Sequence, residues 1–278
     1  MTLTFQTEND IITFGLSSRY VCSEVSGINE GTVNRRKINY IDTDGADFVD
    51  DLYEEREITI NGYIHAKSKI ELENLQSEFC RICNGKNRGK FIYESANKRY
   101  FTEAIAEIPE FGERIGKVKL FSIKIIAYRF YWKSYLETKA VIVSFENHIK
   151  SEFQFPLIFT SKKSKAIIPN SGTIPAEPTF EIRCTESGKN NGVLTILNHT
   201  TGKMIELDYN MTSGERLIID TSSCNIESNQ NGNLLKYMKP SSEFFKLQQG
   251  ANELEVTNTD SSCMYSCICS HYNTYVGV

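Results

Sequence analysis

Apolar and polar residues alternate along much of this chain, as they do in β-strands that bury one face. The alternation is clear in residues 11–25 and 57–64, and in residues 118–130 it gives way to apolar doublets. Residues 99–108 also alternate, and Pro109 and Gly116 separate them from 118–130. Short alternating runs bounded by turn residues predict a mostly β fold, with 99–108 and 118–130 forming an antiparallel hairpin with a long loop.

One segment has the period of a helix. Ser68 and Glu71 have the spacing of a capping box, in which each side chain accepts a hydrogen bond from the other residue's amide. Leu72, Leu75, Phe79 and Ile82 then form one apolar stripe, and Asn84-Gly85 supplies a left-handed stop. Because a lone helix of about sixteen residues is marginal in water, the stripe is expected to pack on a sheet.

The pattern changes beyond Tyr135. Prolines divide residues 141–182, and residues 193–198 and 203–209 then flank a Thr-Thr-Gly turn, which predicts a hairpin. Residues 215–220 and 252–257 also alternate, Gly250 is typical of a turn into a final hairpin, and 234–238 is the one possible helical turn. Short strands at this spacing predict a β-sandwich. We therefore predict a β-rich N-terminal domain with one packed helix, residues 1–140, and a C-terminal β-sandwich, residues 141–278.

Composition and charge exclude several classes of protein. The chain has 278 residues, 40% of them apolar, which is enough to bury a core in each of two domains. The net charge is −4, and neither half has the basic excess of a nucleic-acid-binding protein. No stretch approaches the about 18 consecutive apolar residues of a membrane span, and the first residues lack a secretory signal. We expect a protein made in a cytosol with its eight cysteines as thiols.

Motifs for catalysis or cofactor binding are weak. The stretch from Gly85 to Lys90 lacks the spacing of a phosphate-binding loop, and the four histidines stand in no ligand spacing. The sequence has no nucleophile elbow, although its many carboxylates leave a glycosidase-type pair open. We predict no enzyme activity, no catalytic residues and no cofactor.

Two metal sites are weighed and set aside. Aspartates at 42, 44, 47, 50 and 51 crowd one stretch, but counting from Asp42 puts Asp47 and Tyr53 where a calcium loop needs glycine and glutamate, so an acidic surface loop is favoured. Near the C-terminus, Cys263, Tyr265, Cys267, Cys269 and His271 share one parity and are expected on one face of a strand. Their spacing suits a row of packed thiols better than a zinc cage.

Trp132 is the one tryptophan of the chain and a candidate for stacking on a sugar. It follows Tyr131 in an aromatic cluster at a strand end. Large aromatic residues in such positions dominate core packing, so a core position is favoured over a sugar site.

Ordered blocks of the sequence resemble the distal tail protein (Dit) family of tailed bacteriophages. In the N-terminal half these are Gly45-Ala-Asp-Phe48, the 56–64 strand, the Leu-rich helix and the Tyr131-Trp132 doublet. In the C-terminal half they are residues 170–182, 200–205, 213–221 and 245–252. The family-motif residues in the second half are Gly172, Pro178, Gly202, Gly214, Asp220, Gly250 and Asn252. The resemblance does not explain Cys263, Cys267 and Cys269.

The motif residues are typical of a scaffold. Gly172 and Gly202 are expected at turns that need positive φ, and Pro178 opens a strand, where the missing N–H is tolerated. None of them is a reactive group. We therefore predict that these positions maintain the fold.

The resemblance implies a structural role. It implies an N-terminal domain that closes into a hexameric ring at the tail tip, with a galectin-like or carbohydrate-module-like sandwich projecting outward. The partners it implies are the tail tube protein, the tape measure protein and the tail-associated lysin or tail-fibre proteins, with no nucleic acid and no membrane, in a virion assembled in a bacterial cytoplasm. Two alternatives stay open, namely a carbohydrate-binding module and a hydrolase.

Overall fold

The chain forms two compact units in a computed structural model that describes residues 1–40, 44–96, 98–148, 159–190 and 192–278. The first unit comprises Met1–Tyr135 together with Tyr275–Val278, and the second comprises Leu136–Thr274. The last four residues thus belong to the first unit, a return of the chain that the sequence pattern did not indicate. Asp42, from which the calcium-loop spacing was counted, lies outside the described residues.

The first unit is built from β-strands and one helix. Its elements are β1 (Thr2–Gln6), β2 (Ile11–Phe14), β3 (Tyr20–Ser26), β4 (Val33–Asn39), β5 (Ala46–Tyr53), β6 (Arg56–His65), α1 (Lys69–Ile82), β7 (Arg88–Ser95), β8 (Lys98–Ala106), β9 (Glu110–Ile115), β10 (Val118–Ala127) and β11 (Trp132–Ser134). The main sheet has the order β11-β8-β7-β1-β2-β3-β6-β10-β9, and the terminal strand β23 (Thr274–Tyr275) lies next to β11. Because β8 also pairs with β10, the sheet closes on itself as a barrel.

The predicted hairpin of 99–108 with 118–130 is wrong in its main pairing. β8 pairs with β7 over residues 98–105, and β10 pairs along its whole length with β6. β8 meets β10 at two residue pairs alone, Ile125 with Ala106 and Ile126 with Ile105. The segment taken for a loop contains β9, which pairs with β10.

The predicted helix is confirmed, with its four apolar positions buried. Its Phe79 ring lies 5.1 Å from the Phe121 ring and 5.7 Å from the Phe14 ring, so the stripe packs against strands of the barrel. The Ser68 hydroxyl accepts from the Glu71 amide at 3.1 Å, but Glu71 reaches the amide of Lys67 at 2.6 Å instead of that of Ser68. In the part of the chain that the structure describes, no helix has the length and apolar character needed to cross a bilayer.

The second unit is a sandwich of two sheets. Its elements are β12 (Thr138–His148), β13 (Phe159–Lys163), β14 (Lys165–Asn170), β15 (Thr179–Glu186), β16 (Val193–Asn198), β17 (Lys203–Asp208), β18 (Arg216–Asp220), β19 (Asn225–Ser228), β20 (Gly232–Asn233), the 3-10 turn Leu235–Tyr237, β21 (Gly250–Asn258) and β22 (Met264–His271). One sheet has the order β13-β12-β22-β15-β18-β19-β20 and the other β14-β21-β16-β17. Both contribute to one apolar core. The mostly β prediction and the sandwich are confirmed.

Within this unit, the β16–β17 hairpin is confirmed in register, with Asn198 opposite Lys203. The expected final hairpin is wrong. β21 pairs with β14 and β16, whereas β22 belongs to the other sheet, between β12 and β15. The connection after β21 therefore crosses from one sheet of the sandwich to the other.

Candidate functional site: an exposed apolar hairpin

The β4–β5 hairpin, which we call the hairpin arm, exposes apolar side chains without a core of its own. None of its described residues is buried, and β4 and β5 form a separate two-stranded sheet. The large apolar residues that it exposes, by 46–67%, are Ile38, Phe48, Val49, Leu52 and Tyr53. At its base the Tyr53 ring stacks on Phe130, with 3.8 Å between ring centroids. The arm is thus held at one end and presents apolar surface along its length.

Charge on the arm is divided by strand. β4 carries Arg35, Arg36 and Lys37 and no acid, whereas β5 carries Asp47, Asp50 and Asp51 and no base. The sequence analysis expected an acidic loop here, but these three aspartates lie in a strand. Arg35 faces Asp51 across the strands, with 4.0 Å between Nε and Oδ1. Exposed pairs of this kind contribute little stability by themselves.

A second apolar area lies at the β9 edge of the barrel sheet. β9 pairs with β10 on one side, and in the described part of the chain no strand lies on its other side. Ile115 on β9 is 67% exposed, Leu120 on β10 is 43% exposed, and Ile108 before β9 is 63% exposed. An open edge flanked by apolar side chains is a surface that soluble proteins usually cover.

Arg56 is buried in the first unit without a carboxylate partner. Its guanidinium donates five hydrogen bonds to main-chain carbonyls, those of Phe130, Gly27, Ile28, Glu30 and Val276. Burial lowers the pKa of Arg56 from its ordinary value. Because all five acceptors are backbone atoms, the side chain fixes the course of three segments of the chain. We therefore interpret Arg56 as a structural residue.

Trp132 is fully buried beside this cluster. Its Nε1 donates to the Ile28 carbonyl at 3.0 Å, and its ring lies 6.1 Å from Phe91 and 6.0 Å from Tyr93. Neither face of the indole is open to a sugar, and we do not carry Trp132 forward as a stacking residue.

The cysteine-rich strand β22 turns one face to the core. Its residues alternate in burial, so Tyr265, Cys267, Cys269 and His271 lie on the buried side, as predicted. Burial raises the pKa of Cys269 to about 12 and that of Cys267 well above its ordinary value. Within the described ranges, no three His, Cys, Asp or Glu side chains are grouped as metal ligands. These thiols act as apolar core groups.

The glycines of the family motif serve two different purposes. Gly202, Gly214 and Gly250 have φ of 72°, 82° and 91°, in the left-handed region that favours glycine. Gly172 does not, and the expectation of positive φ there is wrong. A Cβ at Gly172 would lie 2.2 Å from the Thr274 carbonyl oxygen, so glycine is required there by a close approach of two backbones.

The other motif residues close hydrogen bonds of the scaffold. The Pro178 carbonyl, just before β15, accepts from the Thr221 hydroxyl at 2.7 Å. Asp220 accepts from the Ser222 amide and the Ser223 hydroxyl; burial opposes ionisation, but these hydrogen bonds hold the pKa of Asp220 below its ordinary value. Buried Asn252 donates to the Gln248 carbonyl and accepts from the Gln248 amide, both at 2.8 Å.

Glu215 is a buried carboxylate that sequence reasoning did not single out. It accepts from the Tyr209 hydroxyl at 2.6 Å, from the Thr212 amide at 2.8 Å and from the Ser228 hydroxyl. Burial raises the pKa of Glu215, but these donors outweigh it and hold the pKa below its ordinary value. A carboxylate enclosed by its own donors braces two loops. No local sequence signal marks it, because its donors come from positions 3 to 16 residues away.

Beside this brace, two tyrosines meet at the surface. The Tyr209 and Tyr237 rings lie 5.1 Å apart, and Tyr237 is 37% exposed. The Lys236 ammonium lies 4.9 Å from the Tyr237 ring, and the Asn231 side-chain amide donates to the Tyr209 hydroxyl at 2.6 Å. Aromatic side chains beside a few placed polar groups, such as amides, are typical of small-ligand sites.

Comparisons with known proteins agree with this architecture. The chain is similar in fold to the crystal structure of the Dit protein (gp 19.1) of phage SPP1, described as a paradigm of the hub adsorption apparatus in phages that infect Gram-positive bacteria, with a TM-score of 0.72, 10% identity and 98% coverage of both chains. It is also similar to a chain of the phage p2 baseplate in its activated conformation with Sr, with a TM-score of 0.51, 11% identity and 97% coverage of both chains. No curated protein sequence matches the chain.

Two family models match successive parts of the sequence. Residues 12–127 match the phage tail protein RIFT-related domain, and residues 171–268 match the siphovirus-type tail component, C-terminal domain. The first match covers most of the barrel and its helix, and the second covers most of the sandwich. Together they span most of the chain. The chain therefore belongs to the siphovirus distal tail protein family, whose members are structural components of phage tails.

Proposed function

We propose that this chain is the hub subunit of a phage tail tip, where six copies close into a ring. The ring would join the tail tube and tape measure proteins on one side to tail-associated lysin or tail-fibre proteins on the other, in a virion assembled in a bacterial cytoplasm. The observation that carries the proposal is the hairpin arm, whose apolar residues are exposed by 46–67% with no core beneath them. Surface of this kind is stable in assemblies, where another chain covers it.

The polar groups of the chain support a structural role in place of catalysis. The buried ionised groups described above, Arg56 and Glu215, are enclosed by backbone and side-chain partners that leave them no access to a substrate. A catalytic acid or base must reach a reacting atom. Purified protein that cleaves cell-wall polysaccharide, and loses that activity on substitution of one carboxylate, would contradict this part of the proposal.

Native mass tests the ring. One chain has a mass of 31.7 kDa, so a hexamer has a mass of about 190 kDa. Sedimentation velocity should show this species, and negative-stain images should show six-fold rings. Antibody labelling of intact particles should place the chain at the tail tip. Particles that lack the chain at the tail tip would contradict the proposed location. Rings of another order would contradict the proposed hexamer.

A carbohydrate-binding role for the sandwich is the second candidate, and Tyr237 supports it. The partly exposed Tyr237 ring beside Tyr209 and Asn231 is the surface aromatic we would test. Glycan-array binding by the purified chain should be lost in Tyr237→Ala and retained in Tyr128→Ala, which removes a 64% exposed tyrosine of the first unit. Equal binding by both variants, or no binding by the wild type, would remove this candidate.

A further inference from the structure

The hairpin arm is a two-stranded ribbon that is incomplete as a folded unit. Its strands pair with each other from Val33 opposite Tyr53 to Asn39 opposite Ala46, and no other strand of the described chain joins them. Isolated two-stranded hairpins are at best marginally stable in water, because two strands bury too little apolar surface. Both outer edges therefore present unpaired backbone groups to any strand that can join them.

Apolar residues lie on both faces of the arm. Phe48 is opposite Lys37 on one face, whereas Leu52 is opposite Asn34 and Ile38 is opposite Asp47 on the other. Cross-strand partners share a face, so neither face can be assigned to solvent alone. A strand added at an edge of the ribbon brings its side chains beside those of the arm on both faces at once, which a partner docked on one face cannot do.

The two edges differ in charge. The β4 edge is flanked by three cations, Arg35, Arg36 and Lys37, and the β5 edge is flanked by the aspartates at 47, 50 and 51. Inside the arm the same sets already face each other, as Arg35 opposite Asp51 and Arg36 opposite Asp50. Two β4 edges or two β5 edges brought together would oppose like charges, which destabilises a sheet. A β4 edge beside a β5 edge repeats the favourable arrangement.

We propose that the β4 edge of one hairpin arm pairs, antiparallel, with the β5 edge of the arm of a neighbouring copy of this chain. The contact is head-to-tail, because each copy offers a different edge to each neighbour, and such contacts close into rings when the rotation between copies permits. This inference rests on the proposed ring and identifies its seam. The charge complementarity of the two edges argues for a second copy of the chain over a different protein.

Charge reversal tests the seam. One variant carries Arg35→Glu, Arg36→Glu and Lys37→Glu, so that both of its edges are acidic; a second carries Asp47→Lys, Asp50→Lys and Asp51→Lys, so that both are basic. Sedimentation velocity over a concentration series should show the wild type as a ring and each variant as a monomer. An equimolar mixture of the two variants should recover the ring, because every seam then joins an acidic edge to a basic one. Six is an even number, so the variants can alternate around it.

The mixture separates seam pairing from folding of the arm. Like charges face each other inside the arm of each variant, mixed or not, so recovery in the mixture cannot come from repair within one chain. A chain that carries all six substitutions, with acids on β4 and bases on β5, should assemble alone. Arg183→Glu, an exposed charge reversal on β15 of the second unit, is the matched control and should assemble as the wild type does.

Each outcome decides. If both variants assemble as the wild type does, the seam lies elsewhere and the inference is overturned, although the proposed ring stands. If each variant, their mixture and the chain with all six substitutions are monomeric, the edges do not pair with each other, and the charges of the arm act on a different partner. A wild-type chain that is monomeric throughout the series would contradict the proposed ring and this seam together.

Discussion

Arg56, at the start of β6, donates a hydrogen bond of 2.5 Å from Nη2 to the carbonyl oxygen of Val276, 220 positions further along the chain. The same guanidinium holds the Gly27 and Ile28 carbonyls at 3.0 and 2.8 Å through Nη1. One side chain of the barrel thus fixes both the segment after β3 and the final residues of the chain. This cluster is one of the contacts that hold the end of the chain in the first unit, with the Val278 amide, which donates to Asn29.

Arg56→Met should destabilise the first unit by about 3 kcal/mol or more, because buried carbonyls would lose their donor at once. The stability of Arg56→Lys should lie between those of the wild type and Arg56→Met, since an ammonium has three N–H donors and a guanidinium has five. Equilibrium denaturation gives both values. Arg114→Met, which removes one exposed bond to the Gly116 carbonyl, is the control and should change stability by less than about 0.5 kcal/mol. An Arg56→Met protein as stable as this control would contradict the account.

The same cluster predicts coupling with the chain terminus. Deletion of residues 275–278 removes one acceptor of Arg56 and the tail that it holds. The protein that combines this deletion with Arg56→Met should therefore lose less stability than the sum of the losses caused by each change alone. Additive losses would show that the terminus is held independently of Arg56.

Gly172 and Gly202 should respond differently to the same substitution. Asparagine tolerates the left-handed φ of Gly202, where no atom crowds the position, so Gly202→Asn should cost about 1 kcal/mol or less. Gly172→Asn should cost about 2 kcal/mol or more, because its Cβ would overlap the Thr274 carbonyl. Thermal unfolding of the two variants decides between them. Equal losses would mean that the backbones near Gly172 can separate.

Features set by residues close together in the sequence were predicted correctly, whereas pairings between distant strands were not. The helix was predicted nearly in full because Ser68, its apolar stripe and Gly85 all lie within eighteen residues and act locally. The strands that pair with β10 were not predicted, because alternation shows which face of a strand is buried but not which strand lies beside it. Ile123 pairs with Ile60, and no pattern near either residue indicates that distance.

The candidate site was missed for a related reason. The strands of the hairpin arm are not half buried, so their sequences, VNRRKIN and ADFVDDLY, lack the alternation that marks a strand against a core. The two strands pair because a short stretch of chain joins them and because basic residues of β4 face aspartates of β5. The run of aspartates could be read as a loop because its basic partner strand lies ten or more residues earlier.

Thiol reactivity should follow burial. Cys224 is the one exposed cysteine, whereas five of the eight are buried. Burial raises the pKa of Cys184 and of Cys83 to about 12, so those groups remain thiols, and the thiolate is the reactive form. Labelling of the native protein with an aromatic disulfide should show one fast phase that Cys224→Ser removes. A fast phase that survives this substitution would place another cysteine at the surface.

His271 should make the second unit sensitive to mild acid. It is 2% exposed, on the core side of β22. Burial lowers the pKa of His271 below its ordinary value, against smaller opposing effects of Asn273, the Pro169 backbone and Glu137. The unfolded chain therefore takes up a proton at this position before the folded chain does. Stability should decline as pH falls through about 6.5 and continue to decline until the folded-state pKa is reached.

Protonation of the carboxylates affects stability at lower pH than protonation of His271 does, so the two effects can be measured separately. Glu215 and Asp220 also have pKa values below their ordinary ones, so the stability they contribute is complete above about pH 4.5 and is lost as pH falls through their folded-state values. Between pH 6.5 and 5 the comparison is thus between wild type and His271→Leu, which fills the same site without a titrating group. Urea unfolding of both proteins at a series of pH values should show a decline in the wild type that is smaller in the variant. Parallel curves would mean that the imidazole is not buried in its neutral form, and that the core face of β22 opens to water at its end.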